Sequence, residues 1–332
     1  MGAVLALTQG DPAGIGPEIV LQAAARFPAE RARTVLVAER SALEAVRGLF
    51  PPELWDRLRF LSSAPTRAEI EAAGERLPVL DPVGSGRRVE PGRSGRDDAA
   101  GALAALAAAI ALARAGTVDA IVTAPVSKSS IARHLLPGFV GHTDYLAAAC
   151  GLERYGRDYL MAFLSPGLKV ALLSVHMPLL DALRTITGES VLEALACLHR
   201  HAAGRIAVAG FNPHAGEDGL LGSEDRDLLA PAVAEARRRG LDVHGPESAD
   251  SLFARARRGE FDWVLSLFHD QGLIAVKTAS FGLATNWTVG LPFLRTSVDH
   301  GTAFQLAGRG LADEEPLLVV LATTLEFLAA RR

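Results

Sequence analysis

Three of the nine histidines in this 332-residue chain each follow a separate short apolar run: His176 after "LKVALLSV", His214 after "RIAVAGFNP" and His269 after "WVLSLF". Neutral imidazoles delivered from neighbouring strand ends can hold one divalent cation and leave coordination positions open, as a catalytic site requires. Such rings need acceptors to orient them, and Asp181, Glu217, Asp218 and Asp270 are close enough in sequence to serve. The competing reading is three unrelated loop histidines, and spacing alone does not choose between the two. His134, His199, His201 and His244 read as ordinary surface or core residues; His199 and His201 fall at a probable helix end, where positive charge suits the dipole.

A second set of residues suits an anion. Lys128 follows the apolar run "AIVTA", Lys277 lies eight residues beyond His269, and Arg295 sits in "LPFLRTS". Lysine is scarce here, so one placed just after a buried run is less easily dismissed than one of the many arginines, although each cation taken singly is equally readable as a solvated charge. In "GHTDYLAAACG", His142 and Thr143 stand immediately before a helical run, where threonine can cap and free N–H groups can meet an anion. The stretch "GDPAGIGPE" has its glycines at 10, 14 and 16, which fits neither the dinucleotide-binding fingerprint nor a P-loop. A tight strand-to-helix turn, with Pro17 and Glu18 in the first helical turn, accounts for the glycines and leaves Asp11 unexplained.

The elements that must position these groups are short apolar runs alternating with helix-like stretches, the pattern of an α/β protein with a largely parallel sheet. The runs are "AVLALT", "TVLVAE", "AIVTA", "LKVALLSV", "RIAVAGF" and "WVLSLF", and polar groups gather at the C-terminal ends of five of them. Ligands of open parallel sheets bind at that edge, so the strand exits predict one shared cleft. Hydrophobic residues make up 49% of the chain, enough for a substantial core. A net charge of -4 with scattered arginine excludes a nucleic-acid stripe, and two cysteines, Cys150 and Cys197, indicate neither a disulfide framework nor a thiolate zinc site. A reducing cytoplasm fits. The N-terminal "MGAVLALTQGDPAG" is too short and too early in its apolar run for a signal peptide, and the Ala-rich segment 97–116 reads as a soluble helix buried in a core or subunit interface, not a membrane span. Residues 81–98 read as a Gly/Pro/Arg-rich loop, and the chain is expected to recross a domain boundary near 290.

Taken together, "TQGDPAGIGPEI", "PVSK", "GHTDYLA", "ALLSVHMPL", "FNPHAGEDG", "FHDQGLIAVK" and "TNWTVGLPFLRTSVDHGTAFQLAG", in this order to about residue 308, resemble the 4-hydroxythreonine-4-phosphate dehydrogenase family of pyridoxal phosphate biosynthesis. The resemblance implies a two-domain α/β/α fold with mostly parallel sheets, shared with isocitrate and isopropylmalate dehydrogenases. Domain I would comprise 1–125 plus 290–332 and hold both termini; domain II, 126–289, would hold the metal ligands. The implied metal ligands are His176, His214 and His269, drawn from both subunits of a homodimer, with His269 reaching across to its neighbour's site. Implied substrate contacts are His142, Thr143, Lys277, Asn286 and Arg295. Ser127, Asp144 and Gln305 replace the Asn, Glu and Asp common in the family, and none of these is an implied metal ligand or substrate contact.

The activity so implied is NAD- or NADP-dependent oxidation of 4-phosphohydroxy-L-threonine to 2-amino-3-oxo-4-phosphooxybutanoate. This β-keto acid loses carbon dioxide to give 3-amino-2-oxopropyl phosphate, on the way to pyridoxine 5'-phosphate. One divalent ion per subunit, zinc, magnesium or cobalt, would acidify the hydroxyl and then act as electron sink. Asp250, Asp270 and Lys277 are candidates for removing the proton. Alternatives are oxidation of D-threonate or D-erythronate 4-phosphate, or of ring dihydrodiols, by the same machinery; more remotely, a metal-dependent phosphohydrolase or a non-enzymatic sugar-phosphate sensor. No residues are assigned to the cofactor.

Overall fold

The computed structural model describes residues 2–84, 86–280 and 282–330. Its strands are β1 (Ala3–Thr8), β2 (Ala32–Val37), β3 (Leu58–Leu61), β4 (Leu77–Leu80), β5 (Ala120–Thr123), β6 (Leu160–Ser165), β7 (Leu168–Leu172), β8 (Ile206–Ala209), β9 (Val243–Glu247), β10 (Trp263–Ser266), β11 (Thr285–Val289) and β12 (Leu294–Val298). The chain forms two compact units, Met1–Leu146 with Pro292–Arg332, and Ala147–Leu291.

In the first unit the strand order is β3-β4-β2-β1-β5-β12, and every pairing is parallel. Parallel strands are covered on both faces and so read as unbroken apolar runs rather than alternating ones. All six residues of β1 are accordingly buried. The Ala-rich segment is the helix Arg96–Arg114, begun by Asp97 and Asp98 and followed by Gly116 at φ +70°. It packs through Ala99 and Ala102 against Ile131 and Phe139. Because of that packing, residues 126 to 146, expected in the second domain from the sequence, belong to the first unit. The expected 81–98 loop is tied down by Arg87, whose guanidinium bridges Glu39 at 2.7 Å and Asp98 at 2.8 Å; residue 85 lies outside the described residues.

In the second unit the order is β11-β6-β7-β10-β8-β9. β11, β6 and β7 pair antiparallel, whereas β7, β10, β8 and β9 run parallel. The core here is built from β6, β7 and β10 and the helices against them, including Met161, Phe163, Val170, Leu172, Leu252, Val264, Leu273 and Val276. The rings of Trp263 and Trp287 meet at 5.7 Å. Among the described residues no helix is long and apolar enough to cross a membrane.

Candidate functional site

β7 and β10 are parallel neighbours in register Val170↔Val264 and Leu172↔Ser266, so their exits leave the sheet side by side. Two bonds extend that pairing past the strand ends: Leu173 N–H donates to Ser266 O at 2.8 Å and Ser174 Oγ to Leu267 O at 2.9 Å. The next few residues on each exit carry His176 and His269, whose ring centroids stand 5.5 Å apart. Both line one cavity of ≈ 230 Å³ with Val175, Met177, Leu179, Ala182, Phe268 and Asp270. Two imidazoles bound to one ion through nitrogens at ~2.0–2.1 Å place their centroids ~5 Å apart, which matches this pair. Asp270 Oδ1 lies 2.7 Å from His269 Nδ1, which fixes the ring and directs Nε2 outward for a ligand.

The rest of "HDQG" builds the support. Gln271 Oε1 accepts from Leu267 N–H at 2.8 Å and Ser266 Oγ at 3.1 Å, while its Nε2 donates to Gly210 O at 2.8 Å. One amide side chain thus ties the β10 exit to the β8 exit. A Cβ at Gly272 would stand 2.9 Å from Leu172 Cδ2 and Val170 Cγ1, so only glycine lets the helix His269–Ser280 sit on β7. Sequence reasoning missed both roles, although the unbroken Gln-Gly after the histidine was their only signal. On the same helix Lys277 lies in the last helical turn. Eight residues at ~1.5 Å rise put it ~12 Å along the axis from His269.

His214 stands in Pro213–Gly219, where the backbone is left-handed from His214 to Asp218, with φ between 43° and 79°. L-residues adopt this conformation at a cost of roughly 1–2 kcal/mol each, so other contacts must hold it. Buried Asp225 does so, accepting from Phe211 N–H at 2.7 Å, Asn212 N–H at 2.9 Å and Asn212 Nδ2 at 3.1 Å. Asp250 is held below the usual carboxylate range, first by the Ser248 hydroxyl at 2.6 Å and then by the charge of His214. Among the described residues, no three or more His, Cys, Asp or Glu side chains of one chain gather to hold a metal ion. The structure therefore brings His176 and His269 together and leaves His214 out.

Of the implied substrate contacts, Asn286 lies on β11, and its Oδ1 is buried without a hydrogen-bond partner. Arg295, on β12, is 1% exposed and donates through Nη2 to Thr123 Oγ1 at 2.6 Å. Burial pushes its guanidinium down to about 9. His142 and Thr143 do not precede the helix but form its first turn, His142–Ala149. The Nε2 atom of His142 is buried and unpartnered. Burial first, then the charges of Arg295 and Lys128, hold this imidazole well below its ordinary value. A neutral imidazole beside two cations is a site prepared for an anion.

Known proteins resemble the chain over nearly its whole length. Residues 30–323 match the model of the pyridoxal phosphate biosynthetic protein PdxA. The chain is 41% identical to a 4-hydroxythreonine-4-phosphate dehydrogenase of Acidithiobacillus ferrooxidans, over 99% of this chain and 97% of that one. The crystal structure of a 4-hydroxythreonine-4-phosphate dehydrogenase from Klebsiella pneumoniae superposes with a TM-score of 0.85 at 33% identity, covering 98% of this chain and 99% of that one. A terephthalate 1,2-cis-dihydrodiol dehydrogenase from Burkholderia xenovorans is less similar, with a TM-score of 0.66 and 28% identity over 98% of each chain. With its paired strand-exit histidines and full-length similarity, the chain belongs to the PdxA family of pyridoxal phosphate biosynthetic proteins.

Proposed function

We propose that this protein is the NAD(P)- and divalent-metal-dependent dehydrogenase that oxidises 4-phosphohydroxy-L-threonine to 2-amino-3-oxo-4-phosphooxybutanoate, which then loses carbon dioxide. The observation that carries the reading is the His176–His269 pair at 5.5 Å, with Asp270 orienting His269. An all-imidazole donor set suits zinc or cobalt better than magnesium. When bound, the ion supplies Lewis acidity to the hydroxyl being oxidised and to the new carbonyl, and a nicotinamide supplies the hydride acceptor.

The chain's own residues bind and orient. Asp270 is committed to the His269 ring, which makes it a positioning group and leaves Lys277 and Asp250 to be tested for proton removal. Arg295 and His142 hold the phosphate end, and Asn286 offers a buried acceptor to a substrate hydroxyl or amine. The third imidazole, His214, comes from the second subunit of a homodimer. The intrachain pairing of His176 with His269 supports this division rather than a crossing His269.

Purified protein is assayed for cofactor reduction with 4-phosphohydroxy-L-threonine and with D-threonate and D-erythronate 4-phosphates. The reading expects the first to be preferred, chelation to abolish the rate and zinc or cobalt to restore it. Release of phosphate without cofactor reduction would overturn it in favour of hydrolysis. Subunit sharing is read by mixing inactive variants. Dissociating and reassociating His214→Ala with His269→Ala should recover about a quarter of wild-type activity, because half the dimers are mixed and each has one intact site. His176→Ala with His269→Ala should recover none; recovery there would return the crossing role to His269.

A further inference from the structure

We propose that Lys128 is a third phosphate-binding group, acting with His142 and Arg295 on the substrate's phosphate; this rests on the anion-site reading of that pair. Lys128 is exposed as a residue, yet the end of its side chain folds back on Gly141, where a Cβ would lie 3.2 Å from Cε and 3.5 Å from Nζ. The residue after that glycine is His142, whose buried Nε2 has no hydrogen-bond partner. Two full positive charges, Lys128 and Arg295, act on this imidazole. A dianion with three acceptor oxygens answers such a set better than a monoanionic carboxylate does.

The backbone that carries Lys128 is pinned without its help. Ser130 N–H donates to Ser127 Oγ at 3.2 Å, Ser130 Oγ donates to Gly95 O at 3.3 Å, and Ser94 Oγ lies 3.0 Å from Ser130 Oγ. Ser94 Oγ in turn stands 2.8 Å from Oδ2 of Asp11, which is wholly buried and also accepts from Ala13 N–H at 3.0 Å. This network gives Asp11 its purpose: it locks the strand-to-helix turn, the loop before Arg96 and the Ser127–Ser130 segment into one frame. The backbone at residue 128 is thereby held in place, while its exposed side chain remains replaceable without unfolding.

The test compares wild type, Lys128→Met and Lys128→Arg as full-length protein. Titration calorimetry with inorganic phosphate should show roughly tenfold weaker binding in Lys128→Met, the size of one charge-assisted contact, and most of the loss regained in Lys128→Arg. Acetate should bind weakly and equally to all three. With 4-phosphohydroxy-L-threonine the loss should fall on KM rather than kcat. Equal phosphate affinity in wild type and Lys128→Met overturns the proposal, and an equal loss for acetate overturns the choice of phosphate. If the wild type turns over no phosphorylated substrate while phosphate binding still depends on Lys128, the dehydrogenase reading fails and the phosphate site stands.

Discussion

His142, half-buried with its Nε2 atom wholly enclosed, and Asp11, fully buried, both belong to the first unit, and desolvation moves them in opposite senses. His142 is held well below 6.5, so between its folded value and 6.5 the unfolded chain binds a proton that the folded chain does not. Stability then rises with pH through that window and is lost as pH falls below 6.5. Denaturant unfolding across this range should show a steeper acid loss in the wild type than in His142→Asn; equal slopes would remove the shift. Asp11 is raised above 3.8, chiefly by burial, so the folded chain keeps its proton longer than the unfolded chain. Relative to Asp11→Asn, the wild type should lose stability as pH rises through that raised value, the reverse dependence. Burial of this kind leaves no trace in the local sequence. Asp11 could be noticed as unexplained, but its partner Ser94 is 83 residues away.

At the scale of elements, two backbone features set the candidate metal-binding histidines. Gly272 allows the helix carrying His269 to lie directly on β7, whose exit carries His176. Gly272→Ala should destabilise the protein by roughly 1–3 kcal/mol through overpacking, and should weaken zinc affinity because the two rings are pushed apart. Equilibrium unfolding and a zinc competition titration check the two effects. The left-handed run at His214 is the second feature. Ala215, at φ +52°, pays the L-residue penalty there without using its side chain as a ligand. Ala215→Gly should stabilise by up to about 1 kcal/mol in urea, and a destabilised variant would show that the methyl group's packing matters more. The strands bearing the histidines were legible because buried parallel strands are continuous apolar runs. The left-handed turn was not, because Asn, Asp and Gly mark a turn without stating its hand.

For the whole molecule, the proposed sharing of a metal between two subunits would link ion binding to folding and to assembly. Zinc should raise the melting temperature of the wild type, and the rise should be absent in His176→Ala; an undiminished rise in that variant would place the ion elsewhere. The sequence by itself determined the α/β class, the strand exits and the identity of the histidines, lysines and arginine there, since these follow from hydrophobic period and residue chemistry close along the chain. It also carried the family resemblance, which the full-length similarity to PdxA proteins bears out. Tertiary structure alone decided which exits are neighbours. β10 lies between β7 and β8, yet past the strand ends His269 meets His176, while His214, in the left-handed run after β8, stands apart. Strand order depends on long-range pairing, and no local pattern encodes it. The same holds for Arg295, an ordinary-looking arginine in the sequence that is buried against Thr123, 172 residues away.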